Sequence, residues 1–458
     1  MAITAPPASI FKAYDIRGLY GEEMDAETAH LIGRGFARVL ARLRDKQPSE
    51  LRVGLGRDMR LSAPEMADGV RGGLVDEGVT VVDAGRIATE MSYFLVGSRE
   101  LDGGAMVTAS HNPKPYTGVK LMREGALALS GDAGIQEVRA EIEAGLPDPP
   151  GGGTVEEVDV YPDFHSHMLG LIEPGTIGPL KILADGGNGM AGPMVGPLLD
   201  RLDLEVTTTY WEPDGNFPDR EPNPLLEENR RFIVEHVRGE TVDLAIAWDG
   251  DADRCFFIDG EGSFCDGDFV CALLARAALA KNPGATILYD PRSSRAVPDT
   301  VAAAGGKSDL SRVGHAFFKI RMRETGAVFG GEVSGHYYFR DFYCADSGTI
   351  PALLILELVS REGRPLSELM AEFRSRYFIS GEINSEVADQ QAKMSEIAER
   401  YSDGQVTHLD GVSVDYPDWH FNVRPSNTEP LLRLNLESLV SPEDMEAKRD
   451  EVLGLIRA

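Results

Sequence analysis

The stretch DLAIAWDGDADRCFFIDG, residues 243–260, decides the fold class. Apolar residues 244–248 predict a buried strand, the acidic residues after them predict a loop, and CFFID at 255–259 predicts a second strand. LKILADGGNGMAG at 180–192 has a similar order, in which a strand reaches Asp185 before a glycine turn and a helix. Strands that alternate with helices indicate α/β domains with mostly parallel sheets, whose functional loops lie at the strand ends.

The length of 458 residues suggests several domains, at roughly 150 residues for each. PDPPGGG at 147–153 predicts a flexible connector, because proline and glycine disfavour helices and central strands. We predict three α/β domains at residues 1–150, 151–255 and 256–370. Short alternating strands and a charged helix from near Pro442 predict a smaller α+β domain at 371–458.

The charge balance restricts the partners. The chain has 45 Lys and Arg against 74 Asp and Glu, a net charge of −29, which repels nucleic acids and anionic membranes at long range. No window reaches the ~18 apolar residues of a membrane span, and the N-terminus does not resemble a signal peptide. We therefore predict a cytoplasmic protein without nucleic acid or membrane partners. The four cysteines lack CxxC spacing, which predicts reduced thiols.

The loop DGDADR places three carboxylates at alternate positions, which can point at one centre. Three close anions repel each other unless a cation neutralises them, and a hard divalent ion with oxygen ligands fits. An EF-hand loop requires glycine at its sixth position and glutamate at its twelfth, where this chain has Arg254 and Gly260. A metal site is favoured, and a solvated acidic turn is the alternative. The three residues are Asp249, Asp251 and Asp253.

The segment TASHNPKPYTGVK, residues 108–120, offers a nucleophile, an imidazole and an amine in Ser110, His111 and Lys120. A serine needs a base, a metal or a positive environment to act as a nucleophile. Ser-His alone also fits an ordinary turn. A Ser-His-Asp hydrolase is also conceivable, although the chain has no GxSxG elbow at this serine.

Four further loops carry groups that recognise phosphates or hydroxyls. GGEVSGH at 330–336 could bind sugar hydroxyls, because its carboxylate can accept charge-assisted hydrogen bonds from them. The same segment also fits a polar hairpin turn. RPSNTEP at 424–430 can surround a phosphate, although it also fits an asparagine-centred turn. FKAYDIRG at 11–18 and GRDMRLS at 56–62 add cations that individually fit surface charges: Lys12, Arg17, Arg57 and Arg60.

Together, FKAYDIRG, TASHNP, DGDADR, GEVSGH and RPSNTEP resemble the α-D-phosphohexomutase family in order and approximate spacing, over nearly the whole chain. The resemblance implies four domains around a central cleft, namely three related α/β domains with mixed sheets and a C-terminal TATA-binding-protein-like α+β domain. It also implies an enzyme that moves a phosphoryl group between O1 and O6 of a hexose through a phosphoserine and a hexose 1,6-bisphosphate.

The resemblance also implies roles for individual residues. Ser110 is the phosphoserine and binds Mg²⁺ together with Asp249, Asp251 and Asp253. Lys120 and His111 transfer protons or orient the reacting group, and Arg17 and Arg254 flank the phosphoserine. The substrate-binding residues are Lys12, Tyr14, Arg292, Gly314, His315, Glu332, Ser334, His336, Arg424, Ser426, Asn427 and Thr428.

Some positions depart from the family pattern. Arg292 in DPRSS stands where a lysine is common, and YTGVK replaces the usual NGFK or NGIK. Asn427, where phosphoglucosamine mutases have glycine, and GEVSGH, where they have GEQSGH, resemble the phosphomannomutase/phosphoglucomutase branch of the family. We expect mannose phosphate as the substrate, with glucose phosphate second. A phosphoglucosamine mutase, a sugar phosphatase and a noncatalytic sugar-phosphate binder are the alternatives. DGDADR does not match the DxDx[TV] phosphatase motif. We expect a monomer or a homodimer.

Overall fold

A computed structural model describes residues 6–130, 134–426 and 431–458. The described residues form two compact units. The first comprises the chain up to Phe264 together with Gly335–Gly363, and the second comprises Cys265–Ser334 together with the chain from Arg364.

The described helices and strands follow each other in the alternation that the sequence predicts. The helices are α1 (Ala26–Arg44), α2 (Ala63–Asp76), α3 (Thr89–Ser98), α4 (Gln136–Glu143), α5 (Tyr161–Gly170), α6 (Ala191–Leu199), α7 (Glu227–Gly239), α8 (Gly267–Lys281), α9 (Ala296–Ala303), α10 (His315–Thr325), α11 (Thr349–Glu362), α12 (Leu366–Arg374), α13 (Gln390–Arg400) and α14 (Pro442–Arg457). The strands are β1 (Ile16–Leu19), β2 (Arg52–Arg57), β3 (Thr80–Arg86), β4 (Gly103–Val107), β5 (Tyr116–Arg123), β6 (Leu127–Ala128), β7 (Thr154–Glu157), β8 (Leu180–Asp185), β9 (Leu204–Thr209), β10 (Leu244–Trp248), β11 (Cys255–Asp259), β12 (Thr286–Tyr289), β13 (Lys307–Leu310), β14 (Phe329–Gly331), β15 (Tyr337–Phe339), β16 (Ala345–Asp346), β17 (Phe378–Ile379), β18 (Ile383–Glu386), β19 (Gln405–Thr407), β20 (Val412–Asp415), β21 (Trp419–Pro425) and β22 (Leu431–Ser438).

The first sheet has the order β1-β5-β4-β2-β3-β7, with β6 beside β5. Strands β4, β2, β3 and β7 are parallel neighbours, whereas β5 runs antiparallel to both β1 and β4. Helices α1 and α2 pack very closely, because a Cβ at Gly73 would lie 2.1 Å from the carbonyl oxygen of His30. Strand β4 lies between the parallel strand β2 and the antiparallel strand β5, and these two pairings position the loop that follows β4.

The second sheet, also in the first unit, has the order β11-β10-β8-β9. Strand β10 is parallel to β8 and antiparallel to β11, so the acidic loop between β10 and β11 is a tight reversal at one sheet end. All five residues of β10 and all five of β11 are buried. The same unit contains the antiparallel pair β15 and β16, followed by α11.

The second unit contains the parallel strands β13, β12 and β14 and an antiparallel sheet. The antiparallel sheet has the order β17-β22-β21-β20-β19, with β18 also beside β22, and a core that includes Trp419, Phe421 and Leu434. Asp389 and Ser441 cap α13 and α14 by accepting backbone hydrogen bonds.

The predicted fold class, α/β with a C-terminal antiparallel sheet, is confirmed. The strands predicted at residues 244–248 and 255–259 are also confirmed, as is the C-terminal helix from Pro442. The boundaries at 150, 255 and 370 stay predictions. The four cysteines are buried, and none of them is in a disulfide. None of the described helices is both long and apolar enough to cross a membrane.

Candidate active site

Ser110 lies in the turn that follows β4 and is 4% exposed. Its φ of +49° falls in the left-handed region, which costs about 1–3 kcal/mol for a residue with a side chain. The Ser110 N–H donates to Thr108 Oγ1 at 2.8 Å, and the Ser110 Oγ lies 3.2 Å from His111 Nδ1. The serine is therefore held in a strained turn beside an imidazole.

Arg60 holds this turn through the backbone. Its Nη2 donates to the carbonyl oxygens of Ser110 at 2.8 Å and Asn112 at 2.6 Å, and its Nη1 donates to those of Pro113 at 3.1 Å and Tyr116 at 3.2 Å. The guanidinium is 2% exposed. No specific role for Arg60 could be predicted from the sequence, because its partners lie about fifty residues further along the chain. We infer from the contacts that Arg60 positions the nucleophile turn.

The three aspartates of the acidic loop converge, with one carboxylate oxygen from each within 4.8 Å of the others. Asp249 Oδ2 accepts from Arg254 Nε at 2.9 Å. Asp251 Oδ2 accepts from Thr89 Oγ1 at 2.6 Å and from Thr108 Oγ1 at 3.2 Å. The predicted cluster of carboxylates is therefore present as a candidate metal site.

The donor set fits a divalent metal. Asp251 Oδ1 and Asp253 Oδ1 are buried and have no hydrogen-bond partner within the described part of the chain. Lys120 Nζ donates to the other oxygens of these two residues at 2.9 and 2.6 Å. Two buried carboxylate oxygens without partners are unfavourable unless a cation binds them, and hard cations prefer such oxygens.

The pKa values of Asp249 and Asp251 shift in opposite directions. Burial raises the pKa of Asp249 to about 7, despite the nearby charge of Arg254. Burial would also raise the pKa of Asp251, but the charge of Lys120 and the hydrogen bond from Thr89 hold that pKa well below its usual value. Burial alone would lower the pKa of Lys120, but the charges of Asp251 and Asp253 hold that pKa well above the usual value. Lys120 is therefore an ammonium in this arrangement.

The nucleophile turn and the acidic loop touch directly within the first unit. Ser110 Oγ donates to Asp249 Oδ2 at 3.4 Å. A Cβ at Gly250 would lie 2.7 Å from the carbonyl oxygen of Ser110, so only glycine allows this approach. Serine and carboxylates that are far apart in sequence thus form one cluster.

The buried carboxyl group of Glu90 binds a segment that packs against the acidic loop. Glu90 accepts hydrogen bonds from the hydroxyls of Ser347 and Thr349. The intervening Gly348 packs so closely against the loop that a Cβ would lie 2.6 Å from the carbonyl oxygen of Ala252. Burial raises the pKa of Glu90 to about 8, so this carboxyl is protonated at neutral pH.

Two histidines near the cluster have opposite pKa shifts. Burial, with the charges of Arg254 and Arg17, holds the pKa of His111 well below its usual value. Burial also disfavours the charge of His336, but a 3.0 Å contact with Asp346 and the charge of Asp253 raise its pKa. His111 is thus neutral, whereas His336 favours its protonated form, and titratable groups driven apart in this way suit acid and base roles.

The N-terminal segment adds a cation at the turn. Arg17 donates to the side chains of Asn112 and Asp15. In the loop before β1, Lys12 is exposed and Tyr14 is half-buried. Arg17 therefore reaches the nucleophile turn.

The second unit holds most of the other predicted substrate residues. Arg292 pairs with both oxygens of Asp290, at 2.9 and 2.8 Å, and its Nη2 lies 3.3 Å from Glu332 Oε2. The same oxygen of Glu332 accepts from the Gly314 N–H at 3.0 Å. His315 begins α10, and Ser334 is half-buried. Glu332, Gly314 and Arg292 therefore form one group.

The phosphate loop is partly described. Arg424 Nη2 donates to Glu382 at 3.0 Å, and the Ser426 N–H donates to the Leu431 carbonyl at 2.9 Å. Asn427 and Thr428, also predicted to bind phosphate, lie outside the described residues. Glu382 was not predicted from the sequence, because it lies in no recognisable motif.

Known proteins are similar to this chain over nearly its whole length. The chain matches the four domains defined for phosphoglucomutase/phosphomannomutase: alpha/beta/alpha domain I at residues 8–147, domain II at 162–262, domain III at 266–377 and the C-terminal domain at 382–455. Phosphohexose mutases of Xanthomonas campestris pv. campestris are 42% identical over 98% of this chain and 99% of their own. Phosphomannomutase of Vibrio cholerae is 41% identical over 98% of each chain.

A solved structure has a similar fold. A phosphoglucomutase/phosphomannomutase family protein from Burkholderia thailandensis superposes with a TM-score of 0.90 at 33% identity, over 98% of this chain and 97% of its own. With matches in all four domains and relatives above 40% identity over nearly the full length, this chain belongs to the phosphoglucomutase/phosphomannomutase family.

Proposed function

We propose that the protein interconverts hexose 1-phosphates and hexose 6-phosphates through phosphorylated Ser110 and a hexose 1,6-bisphosphate. The proposal is supported by relatives named phosphohexose mutases and phosphomannomutase. The observation that carries it is the position of Ser110 Oγ, 3.2 Å from the neutral imidazole of His111 and 3.4 Å from Asp249 of the carboxylate cluster. A phosphoryl-accepting serine needs a base and a charge-neutralising site nearby; His111 would supply the base, and a cation held by the carboxylates would supply the neutralising charge.

The cluster would hold Mg²⁺ through Asp249, Asp251 and Asp253, with Ser110 or its phosphate completing the ligands. The fit rests on the buried oxygens of Asp251 and Asp253 that have no partner among the described residues. A bound Mg²⁺ supplies positive charge that neutralises the oxygens of a transferring phosphoryl group.

The residues of this chain account for the protons. When Ser110 takes a phosphoryl group from the bisphosphate, a bond forms between Oγ and phosphorus while the bond from phosphorus to the sugar oxygen breaks. The neutral His111 accepts the hydroxyl proton, since its Nδ1 is within hydrogen-bond reach. The departing sugar oxygen takes a proton from Lys120, whose pKa lies well above its usual value, or from His336, whose pKa is raised. The donation of the phosphoryl group to a sugar reverses each step.

Arginines would bind the phosphoryl oxygens. Arg17 contacts Asn112 of the nucleophile turn, and Arg254 contacts Asp249 of the cluster. Both would stabilise charge on the transferring group. In the second unit, Arg424, Ser426, Asn427 and Thr428 would bind the phosphate that does not react. Arg292, Gly314, His315, Glu332 and Ser334 would bind the sugar, with Lys12 and Tyr14 as further contacts.

The sugar preference is proposed from the sequence. GEVSGH and Asn427 favour the phosphomannomutase/phosphoglucomutase branch over phosphoglucosamine mutases. Within that branch we propose mannose phosphate as the substrate, with glucose phosphate as a second substrate and glucosamine phosphate as the alternative. We propose that the protein works in the cytoplasm as a monomer or a homodimer, with hexose 1,6-bisphosphate as the activator.

The test compares mannose, glucose and glucosamine 1-phosphates as substrates, each with catalytic glucose 1,6-bisphosphate and Mg²⁺, for the wild type and Ser110→Ala. We expect conversion to the 6-phosphate, fastest with mannose, and no conversion by the variant. Ser98→Ala, at an exposed serine, is the matched control and should be fully active. Stoichiometric release of free phosphate would instead support a phosphatase, and conversion by Ser110→Ala would exclude the phosphoserine route.

A further inference from the structure

One carboxylate in the second unit faces three arginines. Glu382 Oε1 lies 2.8 Å from Arg433 Nη1, while its Oε2 lies 3.0 Å from Arg424 Nη2 and 3.9 Å from Arg292 Nη1. Burial would raise the pKa of Glu382, but the charges of Arg424, Arg292 and Arg433 outweigh it and lower the pKa. Glu382 is therefore ionised at neutral pH.

The sheet explains why this carboxylate is needed. Arg424 on β21 and Arg433 on β22 are directly opposite each other, and like charges in opposite positions destabilise a sheet. Strand β18 pairs with the same part of β22, which brings the preceding Glu382 to the two guanidiniums. Arg292 is already neutralised by its paired contact with Asp290. Glu382 thus mainly neutralises Arg424 and Arg433.

A substrate phosphate would need the same donors. Guanidiniums bind carboxylates and phosphates through the same parallel N–H groups, so a donor engaged by Glu382 is not available to phosphate. We propose that Glu382 competes with the distal phosphate for Arg424 and Arg433. This competition makes the phosphate contact readily reversible. The inference rests on the proposed function, in which the bisphosphate must release that contact in order to turn around between the two half-reactions.

The test uses Glu382→Gln, which keeps the size of the side chain and a carbonyl that accepts from arginine, but removes the charge. Binding of mannose 6-phosphate and of inorganic phosphate is measured by calorimetry in the Ser110→Ala background, where no turnover occurs. We expect about tenfold tighter binding of mannose 6-phosphate, equivalent to about 1.4 kcal/mol, and a smaller gain for inorganic phosphate. With Ser110 intact, we expect KM and kcat both to fall, because release of the phosphate becomes slower.

Glu399→Gln is the matched control, since Glu399 is exposed on α13 and its loss removes the same charge. Unchanged or weaker binding by Glu382→Gln, in a variant with the wild-type melting temperature, would overturn the inference. Equal tightening by Glu399→Gln would also overturn it, because the effect would then come from net charge alone. Should the wild type convert no hexose phosphate, the proposed function fails, while binding of inorganic phosphate still tests the competition.

Discussion

Replacing Arg60 by lysine tests whether the nucleophile turn is held in its reactive shape by one side chain. Arg60 donates from two nitrogens to four backbone carbonyls, at distances between 2.6 and 3.2 Å. Lysine keeps the positive charge but donates from a single nitrogen, so we expect it to reach two of the four carbonyls.

The geometry sets the size of the effect. A hydrogen bond from a charged donor contributes about 1.5–3 kcal/mol, so the loss of two would cost about 3–6 kcal/mol without relaxation. Water can reach part of the turn, because His111 is only half-buried, and this lowers the expected cost to about 3 kcal/mol. Since Ser110 is in the left-handed region, the relaxed turn should leave that conformation, and kcat should fall roughly 100-fold.

The assay measures kcat and KM for the mutase reaction beside the melting temperature of each variant. We expect Arg60→Lys to lower kcat strongly while KM changes little, because the turn acts on the nucleophile and not on binding of the sugar. Arg86→Lys, at an exposed arginine of the first sheet, is the matched control and should change neither. A normal kcat in folded Arg60→Lys, or a loss confined to the melting temperature, would refute the positioning role.

Three further predictions concern the same cluster. Gly250→Ala should reduce activity at least tenfold, because its Cβ would lie 2.7 Å from the Ser110 carbonyl, whereas Gly239→Ala, with open space around it, should be active. Added Mg²⁺ should raise the melting temperature of the wild type but not that of Asp251→Asn, and an equal rise in both would place the metal elsewhere. Because the folded pKa of Glu90 is raised from 4.5 to about 8, its proton stabilises the fold fully at low pH, and this stability is lost as the pH rises toward 8. Glu90→Gln should flatten that slope in urea unfolding, and an unchanged slope would contradict the raised pKa.

The sequence predicted the features that are local. The strand, acidic loop and strand at 243–260 could be identified because apolar runs and a short charged break lie next to each other along the chain. The convergence of Asp249, Asp251 and Asp253 followed from their alternate spacing after a buried strand. Such a cluster comes from neighbouring residues of one loop and not from contacts with distant segments, so it can be predicted from a single sequence.

Features that depend on distant partners could not be predicted. Arg60 acquires a role only because β2 and β4 are neighbours, which brings it beside the turn after β4. Glu382 follows a glycine in a short connection that carries no motif, and its arginines come from β21 and β22. The GEVSGH segment is a different case, because its residues are contiguous but Glu332 belongs to the second unit and His336 to the first.

The charge of the chain imposes a condition on its phosphate sites. A net charge of −29 opposes an anionic substrate at long range, so binding must come from short contacts with arginines. Each of four arginines predicted to act at the site already contacts a carboxylate of the same unit, and this carboxylate fixes the direction of the guanidinium. A phosphate that reaches such an arginine shares it with the carboxylate or displaces the carboxylate. The affinity for phosphate therefore depends on how much more strongly the arginine binds phosphate than carboxylate, and less on the net charge of the chain. The pairs are Arg17 with Asp15, Arg254 with Asp249, Arg292 with Asp290 and Arg424 with Glu382.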